Sequence, residues 1–111
     1  MKKYMALYMA TPAAIEKMMQ ATPEQSKTGM DLWTKWSDSH KKAIVDLGMP
    51  LGKTKRITSG GMSDTRNDIT GYSIVQGDSP DQVAKLFRDH PHLGMEGTSI
   101  DIVELVSVPG M

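Results

Sequence analysis

The 111-residue chain contains no cysteine. That excludes disulfides, thiolate nucleophiles and Cys-based metal centres. An excess of one charge is also missing: Lys plus Arg number 13 and Asp plus Glu number 13. No net field therefore favours nucleic acid or an acidic lipid surface. Aromatic residues are too sparse for an interleaved base-stacking surface. No apolar run approaches the roughly 18 residues that a membrane span needs. The basic start Met1-Lys-Lys3 leads into apolar residues, but a signal peptide would need a longer apolar core and a small-residue cleavage site. Walker loop, dinucleotide fingerprint and nucleophile elbow are all absent. Gly60-Gly61 is a turn signal rather than a phosphate cradle, because no helix follows it. These exclusions leave one cytoplasmic domain over residues 1–111 with a modest core. No cofactor, nucleic-acid partner or membrane partner is expected.

Residues 3–9 alternate, yet both alternating sets are apolar: Tyr4, Ala6 and Tyr8 against Met5, Leu7 and Met9. Such a strand is buried on both faces. A chain of this size has few elements to cover the second face, so a homodimer is expected. Thr11-Pro12 opens a short helix through about Gln20, with Thr11 as the cap. Thr22-Pro-Glu-Gln25 is a capping box that starts a long helix. Gly48 and Pro50 predict its end near Leu47. Its apolar stripe runs through Gly29, Trp33, Trp36, His40, Ala43, Ile44 and Leu47. Gly29 weakens a helix by up to ~1 kcal/mol relative to Ala, which suggests close packing there. Ten methionines serve either as adaptable core filler or as the lining of a soft, ligand-accommodating pocket.

Ile57 to Val75 reads as strand, Gly-containing turn and strand, a β-hairpin. Ser79-Pro-Asp-Gln82 is a second capping box, for a helix to about Asp89. His90-Pro91 ends that helix. A loop over 91–98 leads to a last strand over 100–108. The order β-α-β-β-α-β is the split βαβ plan of an α+β domain.

The candidate site residues follow from this placement. His40 lies in mid-stripe, where it is either a core histidine or an acid/base whose pKa crosses neutrality with small changes of environment. Asp101 interrupts an apolar strand, so it faces solvent, meets a cation or serves a site. A pocket between sheet and long helix would be lined by Trp33, Trp36, His40 and Asp101. His90 and His92 have the spacing of zinc ligands, but a third or fourth ligand is wanting. No metal is expected, and capping or loop packing accounts for both. Asp64, Arg66 and Asp68 are charges of the hairpin connection, solvated by default.

Several segments resemble the YCII-related family, in its DGPF-domain branch. Ser59-Gly-Gly-Met-Ser-Asp-Thr-Arg-Asn-Asp-Ile-Thr-Gly-Tyr72 is similar to the family's Asp-Gly-Pro-Phe-Ala-Glu-Thr-Lys-Glu…Gly-Gly-Tyr block. Gly48-Met-Pro-Leu51, His90-Pro-His-Leu93 and Ser99-Ile-Asp-Ile102 resemble its turn, its Pro-containing loop and its terminal strand. The resemblance extends from Tyr4 to Val108. Ser59 and Gly61 replace the family's Asp and Pro, and Val103-Glu104 replaces its Arg-Pro. The family's His–Asp pair has no counterpart by position, since Trp33 and Trp36 occupy that region. The resemblance implies a ferredoxin-like βαββαβ unit, two copies of which form a dimeric α+β barrel. It aligns Asp101 with a strand Glu, and Asp64 and Arg66 loosely with the Glu-Thr-Lys-Glu segment. The functional expectation is a small-molecule pocket with His40 and Asp101 as catalytic residues in cofactor-free acid/base chemistry. Trp33, Trp36, His92, Asp64 and Arg66 would contact the ligand. The alternative is a non-catalytic ligand-binding or accessory module, favoured if no oriented His–carboxylate pair faces the pocket.

Overall fold

Strand β1 (Lys2–Ala10) is the spine of the molecule, whose computed structural model describes residues 1–110. It pairs antiparallel with β5 (Ile69–Gly77) on one side and β6 (Thr98–Glu104) on the other. The short β2 (Ile44–Asp46) adds to the far edge of β5, so the strand order is β2-β5-β1-β6. Period-two alternation sends Tyr4, Ala6, Tyr8, Ser73 and Val75 to one face, where all are buried. Helices α1 (Pro12–Met19), α2 (Pro23–Ser39) and α3 (Pro80–Leu86) account for the helical segments. Trp36 from α2, Val83 from α3 and Phe87 just after it complete the buried cluster. Each full burial of such a side chain contributes roughly 1.5–3 kcal/mol. The opposite face carries Met5, Leu7, Met9, Tyr72 and Ile74, and none of these is fully buried. The class is α+β with antiparallel sheets.

Local signals place the helix starts where the sequence predicts them. Thr11 accepts from the Ala14 N–H at 3.2 Å. Thr22 and Gln25 form both halves of a capping box, at 3.1 and 2.9 Å. Ser79 accepts from the Gln82 N–H, but the Gln82 side chain reaches the Asp78 N–H rather than that of Ser79, so this box is incomplete.

The long helix ends at Ser39, not near Leu47. Three polar side chains near its end each bond the carbonyl four residues back: Ser37 Oγ donates to Trp33 O, Ser39 Oγ to Lys35 O, and His40 Nδ1 to Trp36 O. Such back-bonding lets the chain leave the helix. The β-branched Ile44 and Val45 then pair with β5 instead of extending the stripe. Gly48 is not a helix stop; it has φ of 81° and passes so close to β5 that a Cβ would lie 1.7 Å from Tyr72 O. Gly29 is exposed, with nothing within 4 Å of a Cβ built there, so close packing does not explain it.

The hairpin also differs from the expectation. Strands β3 (Thr54–Thr58) and β4 (Gly61–Thr65) form a separate two-stranded sheet, and β5 is a further strand. The second strand of the main sheet is β2, from the segment expected to be helical. The last strand covers 98–104 rather than 100–108.

Candidate functional site

A cavity of about 380 Å³ lies between the sheet and α2. Its walls are soft and apolar: Met18 of α1, Met30 and Trp33 of α2, and Leu47, Met49 and Pro50 of the segment after β2. Tyr8, Thr70 and His92, each with a polar side-chain group, also line it. That size falls within the range of small-molecule sites, roughly 300–1,000 Å³. The described methionines are not core filler, since none is among the buried residues. Three line the cavity.

The polar groups are held by a directed network. Ser73 Oγ donates to Leu47 O at 2.6 Å. A hydroxyl has one proton, so Tyr8 must donate across its 2.8 Å contact with Ser73 Oγ. Thr70 Oγ1 donates to the Tyr8 carbonyl at 2.9 Å. Burial holds the Tyr8 phenol above its ordinary range, partly offset by the Ser73 bond.

The turn Pro91–Gly94, a single 3-10 turn, positions two histidines. His90 caps it, its Nδ1 accepting from the His92 N–H at 3.0 Å. Neutral His90 therefore carries its proton on Nε2. His90 lies among aromatic rings, with centroids 4.4 Å from both Trp33 and Trp36. Burial first, then the neighbouring His92, pushes its pKa down to about 4; Asp89 pulls the other way. His92 Nε2 lies 2.8 Å from Met9 O. A carbonyl only accepts, so Nε2 holds the proton of the neutral ring and Nδ1 is its bare lone pair. Each ring thus has one nitrogen committed to the backbone, which is a capping and packing role.

The structure separates the residues expected to act together. His40 is the half-buried C-cap of α2, stacked on Trp36 at 4.7 Å and outside the cavity. The reason is the early helix end, which takes it out of mid-stripe. Asp101 opposes Leu7 on β1, so it projects from the open sheet face and is exposed. The sheet lies between it and the helices, and His40 and Asp101 form no pair. Trp36 is a core residue whose indole N–H donates to Leu86 O at 3.2 Å, joining α2 to the end of α3. Asp64 lies on β4, bound to Lys55 at 2.6 Å, and Arg66 follows β4, exposed. Trp33 and His92 do reach the cavity.

Sequence reasoning missed Tyr8, Ser73 and Thr70 as parts of the site; its capping reading of His90 holds, with Nδ1 taking the His92 N–H. The abundance of methionine and the place of Trp33 on the apolar stripe of the long helix were the signals for the cavity wall. No protein-family model matches the chain, and no curated protein is recognisably similar to it.

Proposed function

We propose that this protein is a non-catalytic ligand-binding module that takes a small, mainly apolar molecule between sheet and α2. The observation that carries this reading is the cavity itself, whose walls are thioether and aromatic side chains around a few placed polar groups. His92, the histidine at the cavity, is oriented by a backbone carbonyl rather than a carboxylate. Among the described residues, no ion pair involves a histidine. Both features favour binding over acid/base chemistry.

The assembly belongs to the same reading. The four strands of the main sheet, in chain order, stand 2-3-1-4, all antiparallel, which supports a ferredoxin-like unit of the YCII-related kind. Met5, Leu7, Tyr72 and Ile74 leave the far sheet face apolar and only partly covered, which supports a homodimer closed over that face. Light scattering should give twice 12.2 kDa. Leu7→Lys should give the monomer mass with an unchanged circular dichroism spectrum. A monomeric wild type removes the assembly.

The methionines provide the test of the pocket. In a ¹³C-methyl-methionine spectrum titrated with 2-naphthol, the methyls of Met18, Met30 and Met49 should shift saturably, while those of Met5, Met9 and Met62 stay in place. Shifts confined to Met5 and Met9, or no saturable shift at the three cavity residues, would overturn the reading.

A further inference from the structure

We infer that the β3–β4 hairpin is an arm that packs against a second copy of the chain, with Ile57 and Met62 as its contact. This rests on the dimer read from the open sheet face and adds the arm to its interface. The hairpin is a regular antiparallel pair, matched from Thr54–Thr65 at its base to Thr58–Gly61 at its tip. Only Thr54 and Thr65 are even partly buried. A lone two-stranded hairpin is marginally stable in water and needs a surface to pack on. The body of this chain does not supply one, since β3 and β4 make their contacts chiefly with each other. The two faces of the arm differ. Period-two alternation puts the couples Lys55–Asp64 and Ile57–Met62 on one face and Arg56–Ser63 on the other. The first face is thus an apolar couple beside a 2.6 Å ion pair. An apolar centre with a polar rim is the pattern of a protein interface.

The dimensions point to a second copy as the occupant. The molecule measures 48 × 45 × 19 Å, a plate one sheet layer and one helix layer deep. Its accessible surface is 8218 Å², against about 6,100 Å² for a compact monomer of 12.2 kDa. The excess, roughly 2,000 Å², is well above the ~800 Å² that each partner gives to an interface of standard size, and it matches the larger, obligate class. Lys plus Arg equal Asp plus Glu, so two copies carry no net charge to hold them apart. The arm also runs on from the face already assigned to the partner. It returns to the body through β5, whose Tyr72 and Ile74 lie on that face. Two-fold symmetry then sets the arm of each copy against the other copy.

The test reads the arm and the assembly separately. In wild-type dimer mixed from ¹³C-methionine-labelled and unlabelled copies, the Met62 methyl should give filtered nuclear Overhauser effects to protons of the unlabelled copy. Ile57→Thr/Met62→Thr keeps strand-favouring residues in the couple. Its dissociation constant in sedimentation equilibrium should rise at least tenfold, as expected when two such couples per dimer leave the interface, with an unchanged circular dichroism spectrum. Within one chain both side chains are exposed, so without an arm contact the variant would leave that constant where it was. If the variant loses the hairpin, the wild-type Met62 contact decides alone. If wild type is dimeric but Met62 shows no contact with the other copy, or a folded variant keeps the wild-type constant, the arm is wrong while the sheet-face dimer stands. A monomeric wild type removes the assembly, and this inference with it.

Discussion

The packed body and the outlying parts of this molecule are built from the same kinds of element with opposite results. Strands β1 and β5 form an antiparallel pair that buries Tyr4, Ala6, Tyr8, Ser73 and Val75. Strands β3 and β4 form an equally regular pair, yet its one apolar cross-strand couple, Ile57 with Met62, is 75% and 74% exposed. The first half of α2 resembles the hairpin: from Pro23 to Leu32 every residue is exposed. The radius of gyration is 15.7 Å, against about 13 Å for a compact chain of this length. Regular hydrogen bonding is thus common to both regions, and burial separates them. Stability should be concentrated in the body.

Glycines offer the hardest test of that contrast. Gly48→Ala drives a Cβ into Tyr72 O at a positive φ. It should destabilise by several kcal/mol or prevent folding. Gly61→Ala in the hairpin also meets a positive φ, of 138°, but has open space around it. The loss there should stay near 1–3 kcal/mol, and much of it should not reach the global melting transition. Equal losses at the two sites would refute the division into body and periphery.

His90 tests the body by pH. Its folded pKa, about 4, lies below the ordinary value of 6.5. Between these values the unfolded chain binds a proton that the folded chain does not, so stability rises with pH there. Melting temperature should therefore fall as pH drops from 6.5 towards 4, and His90→Phe should flatten that segment of the curve. A slope unchanged in the variant would assign the effect to another group.

The smaller effects lie in the periphery. Gly29→Ala should stabilise by up to ~1 kcal/mol through helix propensity, since nothing obstructs the new methyl. A lowered melting temperature would mean that the N-terminal half of α2 is more than an exposed helix. Lys55→Ala removes the 2.6 Å pair with Asp64, both of them exposed. Thermal melting should not change measurably, because such pairs contribute little.

The same division explains what was legible in the sequence. Thr11, Thr22 and Ser79 mark helix starts because a cap is a contact over three residues. The doubly apolar β1 is legible because alternation is local too. The end of α2 is not, because two stop signals compete. Gly48 looks like the terminus, but Ser37, Ser39 and His40 release the chain earlier, and β2 is held by its pairing with a strand some thirty residues away. The site is the least legible part. Tyr8 and Ser73 meet across 65 residues, and His92 reaches Met9 across 83. No spacing rule within one element can reveal contacts of that kind.

The placement of methionine carries a chemical consequence. Sulfur lies at the cavity rim and the surface: Met30 is 68% exposed, Met49 66% and Met62 74%. Conversion to the sulfoxide makes a thioether polar and hydrogen-bonding, and it proceeds most readily where the sulfur is accessible. Where methionine lies in a core, that lesion disrupts the packing. Here the folded body would keep its packing while Met30 and Met49 became polar. Oxidative chemistry would then change the polarity of the cavity wall before it reached the stability of the fold.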